Sequence, residues 1–183
     1  MDKLELKDIA PYLPHKPIVI VNDTERNLTA VSIDSEFVFV TQWKGSRERQ
    51  MIKIESIKPI LRPMTDLNKL ITHKGNDIVP IVELVKMLYG EIDNYEILSD
   101  WKINVYDDED DDFYSLSIFA IFEENPELFF RYSREIVLTD NRVDLDIRRP
   151  QALLNKLYEL QFDVNDLIGR GLAINLNEVD NGK

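Results

Sequence analysis

The chain has no cysteine. That absence excludes a disulfide framework, a thiol nucleophile, an iron–sulfur cluster and a cysteine-type zinc site, and it suits a reducing cytosol. Glycine is scarce, six in 183 residues, and neither a glycine-rich phosphate loop nor a dinucleotide fingerprint is present. There are two histidines, His15 between prolines and His73 beside a turn. They form no helical metal-binding pair, and neither has a serine or cysteine beside it as a nucleophile. No apolar run approaches the roughly 18 residues a membrane span needs. The opening Met1-Asp2-Lys3-Leu4-Glu5 has no secretory or transit character. These absences lead us to expect a cytoplasmic protein with no membrane partner, no cofactor and no enzymatic activity.

Basic charge is also in deficit, and unevenly so. The net charge is −12. Residues 91–146 hold 17 acidic and 4 basic residues, so that one segment carries −13 and the rest of the chain sums to +1. A field of that sign repels nucleic acid and anionic membranes and attracts basic protein surfaces or cations. Direct nucleic-acid binding is therefore not expected, whereas a protein partner is, of basic or nucleic-acid-binding character. The densest part is Asp107-Asp108-Glu109-Asp110-Asp111-Asp112. Its oxygens suit Ca²⁺ or Mg²⁺, but it lacks the central glycine and the twelfth-position glutamate of an EF-hand loop. Like charges repel and extend a segment, so a solvated connection between strands is the better reading.

Against these absences, the stretch from Pro150 to Val179 is rich in local signals. Pro150 suits a first helical position. Leu153, Leu154, Leu157 and Leu160 then fall on one helical face. Asp163 reads as the N-cap of a shorter helix, with Phe162 and Leu167 placed as a hydrophobic staple. Gly169 and Gly171 read as its stop. Leu172, Ile174 and Leu176 alternate with Ala173, Asn175 and Asn177, the pattern of a half-buried strand.

Elsewhere, Leu4, Leu6, Ile9 and Leu13 suggest a helical turn stopped by Pro11 and Pro14. Strands are expected at residues 18–21, 28–33 and 37–40, with turns at Asn22-Asp23 and Asp34-Ser35. Residues 46–50 read as a polar loop. Pro59 and Pro63 keep the next piece extended, at a sheet edge or outside the sheet. Thr65 reads as the cap of a short helix, and Gly75-Asn76 as the turn of a hairpin. A helix from Pro80 with Ile81, Leu84, Val85 and Leu88 inward ends at Gly90. Beyond it, six strands are expected at 95–97, 101–106, 113–122, 128–132, 136–138 and 143–147, an antiparallel meander with acidic connections.

Three blocks carry a likeness to a known group. Leu4-Glu5-Leu6-Lys7-Asp8-Ile9-Ala10-Pro11-Tyr12-Leu13-Pro14 resembles the N-terminal signature of a group of phage and prophage proteins of Bacteroides-type bacteria. The runs 57–67 and 157–176 are similar to two further blocks of that group, in the same order. Together the blocks cover about 40 of 183 residues. The resemblance implies a phage or mobile-element origin and a shared scaffold, and implies no particular reaction. The chain departs from the group at Gln161, where histidine is common, and at Asn165 and Asp166, where an aromatic and a glycine are usual.

The candidate chemistry weighs against catalysis. Asp93, Asp100-Trp101-Lys102 and Asp144-Leu145-Asp146-Ile147-Arg148 have the acid and lysine pieces of a metal-dependent nuclease, but such patterns arise by chance in an acidic chain, and the segment repels phosphate. Arg47, Arg49, Lys53, Lys58 and Arg62, with Trp43 nearby, form a basic tract, read here chiefly as a partner for the chain's own carboxylates. Arg148 and Arg149, unfavourable before a helix N-terminus, are likewise expected to pair with carboxylates.

The whole reads as an α+β protein, predominantly antiparallel sheet with a few short helices and a C-terminal helix–turn–short helix–strand unit. A β-rich region (1–90), an acidic meander (91–149) and a C-terminal helical unit (150–183) are expected within one compact fold. The expected function is that of a non-catalytic phage or mobile-element accessory protein that binds another protein. Its acidic surface would be Asp107, Asp108, Glu109, Asp110, Asp111, Asp112, Glu123, Glu124, Asp144 and Asp146. Two alternatives share this surface. One is a nucleic-acid mimic, with carboxylates along one face of the meander, that blocks a host DNA- or RNA-binding protein. The other is a virion or assembly component.

Overall fold

The computed structural model describes residues 2–32, 36–98, 102–107, 112–121, 127–136, 141–146 and 150–180. The elements in order are α1 (Leu6–Ile9), β1 (Ile18–Val21), β2 (Thr24–Val31), β3 (Phe37–Thr41), β4 (Arg49–Lys53), β5 (Lys58–Leu61), β6 (Ile71–His73), β7 (Asn76–Ile78) and α2 (Pro80–Tyr89). There follow β8 (Tyr95–Ile97), β9 (Lys102–Asp107), β10 (Asp112–Ile121), β11 (Glu127–Ile136), β12 (Asn141–Asp146), α3 (Pro150–Glu159), β13 (Ile174–Asn175) and α4 (Leu176–Asp180). This is an α+β fold, mostly antiparallel sheet with a few short helices. Among the described residues, no helix is long and apolar enough to cross a membrane.

The chain forms two compact units, residues 1–63 with 157–183, and residues 64–156. In the first, a six-stranded sheet runs in the order β13-β5-β1-β2-β3-β4. β13 is parallel to β5 and the other pairs are antiparallel. Val19, Val21, Leu28, Val38 and Val40 are all buried and belong to one core with Ile9, Tyr12, Ile57, Leu61 and Leu167. The β1–β2 hairpin turns at Asn22 and Asp23, both at positive φ (47° and 60°). That is the mirror-image turn whose twist matches paired strands.

β5 is not an edge strand, although β13 pairs with it only at Ile60 and Leu61, so that Pro59 is paired on one side alone. β5 lies second in the sheet, and Pro59 sits opposite Val19. An antiparallel ladder has a non-hydrogen-bonded site at every second position, and a residue with no N–H fits such a site without loss. Pro11 and Pro14 do not stop the N-terminal turn either. The helix tightens after Ile9 into a 3₁₀ stretch, Ala10–His15, with Pro11 in its first turn, where a missing N–H costs nothing.

The first and third blocks singled out by resemblance, and residues 57–63 of the second, meet in this unit. The Tyr12 hydroxyl donates to the Phe162 carbonyl at 2.6 Å. Arg62 brackets the same segment, its N–H donating to Gln161 O and its carbonyl accepting from Asp163 N–H, both at 2.8 Å. Arg170 reaches Asp8 Oδ1 at 3.3 Å and Asp2 Oδ2 at 2.5 Å, while Asp8 Oδ2 accepts the Glu5 N–H at 2.8 Å.

The C-terminal segment differs from the helix–turn–short helix–strand expectation. Asp163 does act as a cap, but its oxygens take the N–H groups of Leu167 and Ile168 at 2.7 and 2.8 Å. The chain between is a succession of turns, not a helix, because Asp166 at φ 53° cannot lie in a right-handed helix. The strand ends after Asn175. The Asn175 side-chain oxygen accepts the Asn177 N–H at 3.0 Å and so caps α4, which the apolar alternation had hidden.

In the second unit, Ile81, Val82, Leu84 and Val85 of α2 are buried, Leu88 only partly. Pro80 opens α2 and Gly90, at φ 98°, closes it. The β6–β7 turn is Lys74-Gly75, one residue earlier than expected, with both residues at positive φ. Thr65 caps no α-helix, since Met64–Asp66 is a single 3₁₀ turn. The meander is a five-stranded antiparallel sheet in chain order, β8 to β12. The two strands expected at 128–132 and 136–138 are one, because Ser133, Arg134 and Glu135 pair on both sides, with β10 and with β12.

Candidate protein-binding surface

The meander's register sorts its residues by face. Ile103 and Val105 of β9 lie in rows with Leu116 and Tyr114 of β10, Tyr132 and Arg134 of β11, and Leu145 and Val143 of β12. Ile103, Val105 and Leu116 are buried and apolar, which makes this the apolar core face, although Asn104 of the alternate face is buried as well. The alternate rows run Lys102–Ser117–Arg131–Asp146 and Asn104–Ser115–Ser133–Asp144.

The four predicted carboxylates among the described residues therefore fall in two places. Asp107 and Asp112 are direct cross-strand partners in the terminal row, at register positions of the core face. Asp144 and Asp146 belong to the other face, opposite Ser133 and Arg131. They share no face with Asp107, and Asp146 shares its row with two cations, Lys102 and Arg131. Asp108, Glu109, Asp110, Asp111, Glu123 and Glu124 lie outside the described residues, as do Asp100, Trp101, Arg148 and Arg149. Like charges placed directly opposite in a sheet destabilise the pair, and Asp107 and Asp112 hold such opposed register positions.

At the entry to the acidic segment, Lys86 Nζ lies 3.2 Å from Glu91 Oε2. That hydrogen bond and charge raise the Lys86 pKa above its usual value. Tyr106, partly exposed, donates to Glu96 Oε2 at 3.2 Å. His15 ends the 3₁₀ stretch and His73 ends β6, in different units. Among the described residues no group of three acidic or histidine side chains is placed to hold a metal ion.

A second surface, read from sequence only as a loop and a basic tract, is the outer edge of β4. Among the described residues β4 pairs with β3 alone. Gln42 N–H bonds to Glu48 O at one end of this ladder and Ile54 N–H to Glu36 O at the other. Bonded and non-bonded pairs alternate, so Gln50 and Ile52 bond inward. Arg49, Met51 and Lys53 turn their backbone N–H and C=O outward. All three side chains are exposed, Met51 at 56%. Trp43, 54% exposed, lies in the connection before β4. At the Lys53 end an open groove of about 560 Å³ begins, lined by Lys3, Leu4, Leu6, Lys7, Ile54 and Glu55 among others. The missed signal was alternation: a cation, an apolar residue and a cation two apart is what an exposed edge strand carries.

Comparison with models of known families, with curated proteins and with solved structures returns no match to this chain.

Proposed function

We propose that this protein is a non-catalytic accessory protein of phage or mobile-element origin, and that it acts by binding a basic protein through the acidic end of its meander. One observation carries the reading. Asp107 and Asp112 face each other as cross-strand partners, with four further acidic residues between them in sequence. Such a row costs the hairpin stability, and a cationic partner surface offsets that cost. The origin rests on the three blocks. It gains support from Asp166, which stands where the resembled group has glycine and takes a left-handed φ of 53°, a conformation glycine adopts without strain. A nucleic-acid mimic would need its carboxylates along one face. Among the described carboxylates, the register sets Asp107 and Asp112 on one face and Asp144 and Asp146 on the other, with Asp146 in a row with cations, which favours the β9–β10 end over a continuous acidic face.

The test is affinity capture from host-cell lysate with stepwise salt elution and mass spectrometry, run in parallel with a D107N/D112N variant. The reading expects a basic protein released at moderate salt and retained poorly by the variant. Identical captures by both proteins, or an empty capture in infected as well as uninfected cells, would sink it.

A further inference from the structure

We propose that the outer edge of β4 is a second docking site, one that takes an extended acidic peptide segment of another protein as an added strand. The argument begins with backbone groups. Arg49, Met51 and Lys53 present N–H and C=O groups outward, and β4 has no second neighbour among the described residues. An unpaired edge of this kind is a template for another strand, with main-chain bonds supplying affinity and alternate side chains supplying selectivity.

The side chains then choose the occupant. A strand added here sets its alternate residues beside Arg49, Met51 and Lys53. A second β4 laid antiparallel would set Arg49 against Lys53, a repulsive arrangement at both ends, so the charges oppose pairing of this edge with its own copy. A strand carrying acid, apolar residue, acid at alternate positions satisfies all three. Among the described residues, neither cation is committed to a strong internal partner. Lys53 has only a long 3.9 Å contact to the exposed Glu55, and Arg47 adds to the field from the preceding loop. Beyond Lys53 the peptide meets the groove floored by Leu4 and Ile54. This edge belongs to the first unit, whereas the acidic meander belongs to the second.

The probe is a capped, threonine-rich synthetic peptide with glutamate, valine and glutamate at alternate positions, titrated into isotope-labelled full-length protein. Amide shifts are expected to concentrate at residues 49–54. A peptide of the same composition with its glutamates adjacent should bind more weakly. R49E/K53E should weaken binding about tenfold and should bind a lysine–valine–lysine peptide instead. M51P removes the one central outward donor without cutting a β3–β4 bond, and gives an independent loss should the charge reversal perturb folding. Equal binding of the two glutamate peptides, shifts confined to the meander, or wild-type affinity in R49E/K53E would overturn the proposal. So would concentration-dependent dimerisation that protects the β4 amides without peptide, which would assign the edge to a second copy.

Discussion

The Tyr12 hydroxyl donates to the Phe162 carbonyl and accepts from the Val164 N–H, closing two segments 150 positions apart on one buried oxygen. Burial pushes the Tyr12 pKa well above its usual value, so the hydroxyl stays protonated and the donor persists across the working pH range. The ring meets Tyr158 edge-on, with centroids 4.9 Å apart. Tyr12→Phe keeps that packing and removes both bonds to the hydroxyl, but leaves the carbonyl and the amide paired with each other, since the Val164 N–H also donates to Phe162 O at 3.0 Å. The expected loss is about 0.5–1.5 kcal/mol of unfolding free energy, read as a lower urea midpoint with an unchanged slope. An unchanged midpoint would mean that water replaces the hydroxyl.

Asp163 has a pH signature. Burial raises its pKa above 3.8, against the two N–H groups of Ile168 and Leu167, which favour the charged form. Between 3.8 and the raised value the folded chain holds more protons than the unfolded one, so this group's contribution to stability falls as pH rises through that window. Asp163→Asn removes the titration and places an NH₂ group against one of the two amides. The variant should be less stable at neutral pH by about 1–3 kcal/mol. Its deficit relative to wild type should widen on acidification, as wild type gains what the variant cannot. Chemical denaturation at several pH values checks this, and a constant deficit would refute it.

Asp2 works in the opposite sense. The hydrogen bond from Arg170 lowers its pKa below 3.8, so its contribution is present above 3.8 and is lost as pH falls through the depressed value. Arg170→Gln should return the Asp2 carboxyl to its ordinary titration, visible by carbon NMR. It should also destabilise the fold, because Asp8, buried and 3.3 Å from Arg170 Nη1, loses its cation. The variant's stability should therefore fall less steeply than wild type's as the solution is acidified through the Asp2 window. A depressed Asp2 titration persisting in the variant would count against the pairing.

What the sequence revealed follows from how local each signal is. Pro80 and Gly90 bracket α2 because the chemistry that starts and stops a helix lies within the helix itself. Asn22-Asp23 marked its turn for the same reason. Non-local pairing accounts for the misses. Ser133-Arg134-Glu135 looks like a break until β10 and β12 supply partners on both sides. Lys74 took the left-handed site that Gly75-Asn76 seemed to demand, because the strand register decides where the two loop residues fall. Pro59 marks β5 as an edge strand until β13 pairs with Ile60 and Leu61 beyond it. At the surface, composition alone exposed the acidic segment, but the faces of Asp107 and Asp144 depend on register. Arg49 and Lys53 read as a loose basic tract, and only the pairing of β3 turns them into the outer edge of a sheet.

The opposed aspartates give the last prediction a direction and a control. If Asp107 and Asp112 repel across the terminal row, neutralising one of them should stabilise the β9–β10 hairpin. Asp112→Thr suits a strand position and removes one charge, for an expected gain of about 0.2–1 kcal/mol. Added salt screens the repulsion in wild type, so wild type should gain more stability than the variant between low and moderate ionic strength. Amide exchange at residues 102–107 and 112–117 separates this from effects elsewhere, since only the hairpin's protection should rise. A variant that is less stable than wild type at every salt concentration would show that the carboxylates help hold the turn, and the case for a cationic partner relieving them would fall with it.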